Sequence, residues 1–307
     1  MLRLLSLLIM VGLLASCQSA SSPQPDLQRL RDQLLAYVDT LDAQVGVGII
    51  SPEGDTLTIN NELHYPLMSV FKFHQALGVA HHINEEKIPL KEPIYIYPKD
   101  LQWNTYSPLK EQYPHGNIQK NIAELLSYSL KLSDNIACDL LFDRLISPRQ
   151  VTDFLKEIGG EANFDISLSE KDMQTDFHYC YDNWTTPYAA VLLLQQFLEG
   201  DIVGEPYLSL ISQQLIDCQT GANKLALPLQ GTGALIGHKT GGGPITPSGR
   251  TVANNDLGFV VLPDHRSYII AVFVKDARLT SEASDRVIAE ISRMTYQYFT
   301  SNTQSPS

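Results

Sequence analysis

The chain has 307 residues, 44% hydrophobic and 18% charged, the balance of an ordinary globular domain with ample length for a sizeable core. Its formal net charge of −12 argues against a nucleic-acid role and favours a soluble monomer. No cysteine–histidine spacing resembles a zinc site, so neither a metal nor a cofactor is expected.

Residues 1–16 are not part of the fold. Arg3 gives a positive start, and Leu4 to Ala15 form an apolar run of signal-peptide length, too short to span a bilayer. The run ends Leu14-Ala15-Ser16-Cys17, which looks like a lipobox, and polar residues 17–25 follow as a tether. Contact with a membrane is therefore expected only through a lipid on Cys17, placing an exported protein in a bacterial periplasm. Three cysteines remain beyond it, Cys138, Cys180 and Cys218. An odd number leaves at least one free thiol, and a Cys180–Cys218 disulfide stays open.

Residues 26–42 carry Leu27, Leu30, Leu34, Leu35, Val38 and Leu41 at helical spacing. Val45 to Ile50 and Thr56 to Ile59 read as strands joined by the turn Ser51-Pro52-Glu53-Gly54. The spacing predicts helices over 120–145, 148–158, 187–199 and 205–216. Strands return over 234–240, 256–262 and 267–274, the last two as a hairpin, and 281–299 closes the chain as a helix. Strands at both ends with helices between imply one sheet built from both termini. The expected organisation is a single catalytic domain over 26–300 with a tail at 301–307. Residues 26–65 and 219–300 form its α/β lobe and 66–218 its helical lobe, with a ligand cleft between them.

The chemistry centres on Met68-Ser69-Val70-Phe71-Lys72, which opens the apolar run through Ala80. Ser69 and Lys72 are one turn apart on a helix and share a face. A serine hydroxyl is a weak nucleophile and needs a base within reach, a role open to a desolvated lysine. Ser-x-x-Lys alone is a weak signal. Ser133-Asp134-Asn135 and His238-Lys239-Thr240-Gly241 strengthen it, because the three motifs occur in the order typical of class A β-lactamases and penicillin-binding proteins.

The chain resembles a class A serine β-lactamase over nearly all of its mature length. Ser133 to Asp139, Asn183-Trp184-Thr185-Thr186-Pro187 and Asn255-Asp256-Leu257-Gly258 bring it nearest the extended-spectrum, cephalosporin-hydrolysing branch. The resemblance implies the serine β-lactamase/penicillin-binding-protein fold: an α+β architecture with an antiparallel five-stranded sheet, flanking terminal helices and an inserted all-helical lobe. It implies hydrolysis of cephalosporins and penicillins, and hence antibiotic resistance, without a cofactor.

In that reading Ser69 is the nucleophile, Lys72 activates it or shuttles protons, and Ser133 relays a proton to the β-lactam nitrogen. Asn135 binds the substrate's side-chain amide, Lys239 and Thr240 bind its carboxylate, and Asp134 is structural. The backbone N–H groups of Ser69 and Gly242 form an oxyanion hole, with Gly241 and Gly242 letting the strand approach the ligand. Counting thirteen residues back from Asn183 gives Glu170 as the deacylation base, with Asp172 and Glu161 as weaker rivals. Tyr106 matches an aromatic at the cleft mouth. Lys224 stands where relatives carry an arginine for the carboxylate, and Arg250 is the alternative. Gln174, Asn183 and Asp139 depart from the commoner asparagine, aspartate and asparagine, so a differently folded Glu170 loop is expected.

Two other classes share features of this chain. A penicillin-binding D-Ala-D-Ala carboxypeptidase has the same three motifs, and a catalytically silent lipoprotein could keep the fold. Glu170 at the expected loop position favours the hydrolase over the first. The joint presence of Ser69, Lys72, Ser133, Lys239 and Glu170 speaks against the second.

Overall fold

The computed structural model describes residues 27–158 and 163–301. The expected signal peptide, the tether with Cys17, most of the tail and Glu161 lie outside these residues. Five antiparallel strands form the main sheet in the order Thr56–Ile59, Gln44–Ile50, Ser267–Ala277, Thr251–Val261, Leu235–Gly242. Both termini thus supply the sheet. The helices Leu27–Val38 and Ser281–Ser301 belong to the same lobe.

Period-2 alternation gives the sheet two apolar faces. On the central strand, Tyr268, Ile270, Val272 and Val274 pack with Leu30, Leu34 and Ile291 of the terminal helices. Ile269, Ala271 and Phe273 point the other way, into the core that continues through the helical lobe. On Gln44–Ile50 the corresponding positions are Gly46 and Gly48. A Cβ on Gly48 would lie 2.5 Å from the Pro187 carbonyl oxygen, and one on Gly46 would lie 2.5 Å from the Tyr65 ring. The glycines let the helix Pro187–Glu199 rest directly on strand backbone.

The expected continuous helix over 120–145 is in fact two, Ile122–Lys131 and Asn135–Arg144. Asn121 and Glu124 cap the first reciprocally, Asn121 Oδ1 accepting from Glu124 N at 2.9 Å. Asp134 caps the second, its Oδ1 accepting from Ala137 N at 2.8 Å. Between them Ser133 takes φ 58°, a left-handed conformation that reverses the chain and that serine adopts only at a cost. The helical lobe also carries a short antiparallel pair, Pro93–Ile96 with Ile118–Asn121. The strand expected over 256–262 begins earlier, at Thr251.

A small three-stranded ribbon links the segments leading to Ser69 and Glu170. Trp184–Thr185 pairs with both Tyr65–Pro66 and Phe164–Asp165. The loop bearing Glu170 is thus closed at its base beside the segment entering Ser69.

Gly48→Ala should cost roughly 1–3 kcal/mol, the range for forcing atoms into a packed interior. Gly204→Ala, where an added Cβ meets nothing within 4 Å, should leave stability nearly unchanged. Thermal denaturation of the two variants checks the contrast.

Candidate active site

Ser69 sits in the turn Met68–Val70 that leads into the helix Phe71–Glu85. Met68 takes φ 46°, so Ser69 is presented from a strained turn. Asn255 holds that turn from below, its Nδ2 donating to the carbonyls of Pro66 at 2.7 Å and Leu67 at 3.2 Å. Gly241 is needed here for packing as well as for access. A Cβ on it would lie 2.6 Å from Leu67 O and 3.3 Å from Ser69 N. Gly242 faces open space, with nothing within 4 Å of an added Cβ.

Lys72 is fully buried and lies among acceptors. Its Nζ donates to Ser133 O at 2.8 Å, Asn135 Oδ1 at 2.6 Å and Ser69 Oγ at 3.1 Å, and pairs with Glu170 Oε1 at 2.9 Å. Ser69 Oγ in turn donates to Glu170 Oε1 at 2.9 Å. The serine proton is thus directed at Glu170, while Lys72 acts as donor to the serine oxygen. This refines the expectation that Lys72 activates Ser69. In this geometry the acceptor in direct reach of the proton is the carboxylate.

Glu170 opens the one-turn helix Glu170–Met173 and is 3% exposed. Asp139 fixes that turn, its two oxygens accepting from Glu170 N and Lys171 N, both at 2.9 Å. The two N–H donors thus meet two separate carboxylate oxygens, whereas a carboxamide would have to take both on its single oxygen. Burial, followed by the nearby Glu170 charge, pushes the Asp139 carboxyl up to about 7. Asn183 staples the rest of the loop. Its Oδ1 accepts from Ser167 N at 2.9 Å and Leu168 N at 3.0 Å, and its Nδ2 donates to Leu168 O at 2.8 Å. Asp172 is spent on capping Ser169, whose Oγ donates to it at 2.8 Å.

Gln174 does not point at Glu170. Its Nε2 donates to Thr105 Oγ1 at 3.1 Å, which also accepts from Asn135 Nδ2 at 2.8 Å. The Thr105 hydroxyl therefore bridges the Glu170 loop to Asn135. Nothing local marks Thr105, because its role depends on two segments meeting across the cleft. Tyr106, beside it, is 54% exposed, and its carbonyl accepts from Asn135 N at 3.2 Å. Asp134 is buried and accepts from Leu109 N at 2.7 Å as well as from Ala137.

Lys239 and Thr240 lie on the edge strand Leu235–Gly242. Lys239 Nζ donates to Ser133 Oγ at 2.9 Å and to Thr240 O at 2.9 Å. Burial and then the Lys72 charge bring the Lys239 ammonium down to about 7. Thr240 Oγ1 shares a 2.6 Å hydrogen bond with Thr220 Oγ1. Lys224 is buried, its Nζ 3.4 Å from Asn255 O and 3.9 Å from Asp285 Oδ1. Gly221 separates it from Thr240, since a Cβ there would meet Thr240 Cγ2 at 2.4 Å and Lys224 Cδ at 3.3 Å. Arg250 is committed elsewhere, to Asp42 at 2.8 Å and to Asp276 O at 2.7 Å. A cavity of ≈ 410 Å³ runs from Ser69, Asn135 and Glu170 past Gly242 to Phe177 and Pro244. Cys138, Cys180 and Cys218 are free thiols, so the Cys180–Cys218 disulfide does not form. Among the described residues no group of three or more His, Cys, Asp or Glu could hold a metal ion.

A model of the beta-lactamase enzyme family matches residues 29–299. The chain belongs to that family. A beta-lactamase of Bacteroides uniformis is 35% identical over 286 residues, covering 92% of this chain and 95% of the relative. The extended-spectrum beta-lactamase PER-1 of Pseudomonas aeruginosa is 32% identical, covering 95% and 93%. A crystal structure of a class A beta-lactamase representative from Bacteroides cellulosilyticus superposes with a TM-score of 0.84 at 33% identity, covering 89% of this chain and 98% of that one. The architecture expected from sequence, a five-stranded antiparallel sheet with helices, is the one these β-lactamases share with this chain.

Lys239 supplies a pH prediction for this β-lactamase. The ammonium is its acid form, so a depressed pKa means that the charge is lost as pH rises past about 7. The kcat/KM for a carboxylate-bearing β-lactam should therefore fall above that point, and Lys239→Arg should move the inflection upward. A profile in which Lys239→Arg and the parent inflect together would place the titration on another group.

Proposed function

We propose that the chain hydrolyses the β-lactam ring of cephalosporins and penicillins through a Ser69 acyl-enzyme. The observation that carries this reading is the pair of contacts at Ser69 Oγ, with Glu170 at 2.9 Å and Lys72 at 3.1 Å. Ser69 Oγ attacks the lactam carbonyl carbon and passes its proton to Glu170. The N–H groups of Ser69 and Gly242 stabilise the resulting oxyanion, each such donor being worth roughly 100- to 1,000-fold in rate. The C–N bond then breaks, and Ser133, hydrogen-bonded to Lys239, delivers its proton to the departing nitrogen. The proton held on Glu170 passes through Lys72 back to Ser133, leaving Glu170 ionised. In the second half, Glu170 takes a proton from water as it attacks the ester carbon. The bond to Ser69 Oγ breaks and the serine regains its proton.

Lys239 and Thr240 hold the substrate carboxylate, with Lys224, beyond Gly221, as the second cation for it. Asn135 takes the side-chain amide and Tyr106 flanks the mouth. The single catalytic domain works as a monomer in the periplasm, tethered by a lipid on Cys17. The family's bacterial members and the lipobox support that placement.

Two variants test the chemistry. Ser69→Ala should lose both turnover and covalent labelling. Glu170→Gln should accumulate a species heavier by one β-lactam, seen by intact-mass spectrometry after mixing with a cephalosporin. Acylation is slowed, because the proton must leave by Lys72, but hydrolysis of the ester is slowed further. Normal turnover in Glu170→Gln overturns the assignment, and Asp172→Ala is the control. For the anchor, Cys17→Ser should move the protein from the membrane to the soluble fraction. A wild-type protein that is already soluble excludes the lipid.

A further inference from the structure

The two bonds at the Thr105 hydroxyl close a ring of contacts beside the cleft. Lys72 Nζ donates to Asn135 Oδ1 at 2.6 Å, and Asn135 Nδ2 donates to Thr105 Oγ1 at 2.8 Å. Gln174 Nε2 donates to the same Oγ1 at 3.1 Å, and Gln174 N donates to Glu170 O at 3.3 Å. Glu170 Oε1 returns to Lys72 Nζ at 2.9 Å. Asn135, Glu170 and Gln174 line the cavity at Ser69.

The two ends of the Asn135 carboxamide have different anchors. A carboxamide offers one oxygen and two N–H protons. The oxygen faces Lys72, an ammonium that can only donate. One N–H is taken by Thr105, and among the described residues the other has no protein acceptor. Lys72 alone would leave the carboxamide free to pivot about its oxygen. The second anchor, at nitrogen, fixes its plane. Thr105 is half-buried and is itself held against the same turn. Asn135 N donates to Tyr106 O at 3.2 Å, and Ser107 Oγ donates to Asp134 Oδ1 at 2.9 Å. Backbone and buried side-chain bonds thus set the hydroxyl relative to Asn135, which is what a supporting group needs in order to position another. Both lone pairs of Oγ1 are filled, one by Asn135 and one by Gln174.

We propose that Thr105 is a positioning residue for acyl side-chain recognition: its hydroxyl fixes the Asn135 carboxamide so that the spare N–H meets the carbonyl oxygen of a substrate's side-chain amide. Thr105 acts through Asn135 and does not touch the substrate. The proposal rests on the reading of Asn135 as the amide-binding group. It goes further by making the preference for acylated β-lactams depend on a residue outside the three motifs. Gln174 ties the same hydroxyl to the Glu170 loop, but its bond is to Thr105 and not to Asn135.

The test compares benzylpenicillin with 6-aminopenicillanic acid, which has the same fused rings and carboxylate but no acyl carbonyl. The readout is the ratio of kcat/KM for the first to kcat/KM for the second. A general loosening of the cleft or of the Glu170 loop moves both terms and cancels. Thr105→Val keeps the side-chain shape and removes the hydroxyl, and the ratio should fall on the order of tenfold, the worth of about one hydrogen bond. Thr105→Ala should give the same fall. Thr105→Ser, which restores the hydroxyl, should keep the parental ratio. So should Gln174→Ala, whatever it does to the rate on both substrates. An unchanged ratio in Thr105→Val and Thr105→Ala overturns the positioning role, and an equal fall in Gln174→Ala overturns it by moving the cause to the loop. A parent protein that opens neither ring overturns the hydrolase reading underneath.

Discussion

The buried ammonium of Lys72 is the junction on which the site depends. It contacts Ser69, the Glu170 loop and two groups of the Ser133–Asn135 turn at 2.6 to 3.1 Å. An unpaired buried charge is costly, so removing any one partner shifts the burden to the others. That constraint explains why three segments far apart in sequence are held together so tightly. Ser133 is left-handed so that its carbonyl can face Lys72, and Met68 is left-handed where the chain turns into Ser69. The strain at both positions is held by surrounding hydrogen bonds, from Asn255 below the nucleophile turn and through Asp134 beside Ser133.

The two lobes contribute differently. The sheet supplies a rigid edge strand carrying Lys239 and Thr240, backed by apolar packing on both faces. The helical lobe supplies Ser133 and Asn135 from a helix break, and Glu170 from a loop stapled by Asn183 and Asp139. Side chains such as these are best positioned when their supporting groups are themselves buried and saturated. Asn183 is 0% exposed and makes three backbone hydrogen bonds.

Much of this was legible in the sequence because it is local. Alternating apolar residues marked the strands, and Ser69 with Lys72 is a matter of helical spacing. The break at Ser133 could have been read from Asp134, a good cap residue before an apolar run, but the apolar content on both sides concealed it. The departures at Asp139 and Gln174 were visible as departures only. Their meaning needed the partners. Asp139 meets two N–H groups from a loop 31 and 32 residues away, and Gln174 meets Thr105 at a separation of 69. The commitment of Arg250 to Asp42 and Asp276 likewise depends on strand register, which no local pattern encodes.

The direct bond between Ser69 and Glu170 has a consequence for timing. As a free hydroxyl, Ser69 donates its proton to Glu170 Oε1. As an ester, the same oxygen has no proton to give. Esterification therefore strips Glu170 of one of its two donors and leaves Lys72 as the other. The vacated lone pair becomes available to a solvent O–H only when there is an ester to attack. In the proposed cycle the hydrolytic half is in this sense armed by the first half, and the resting protein keeps that oxygen occupied.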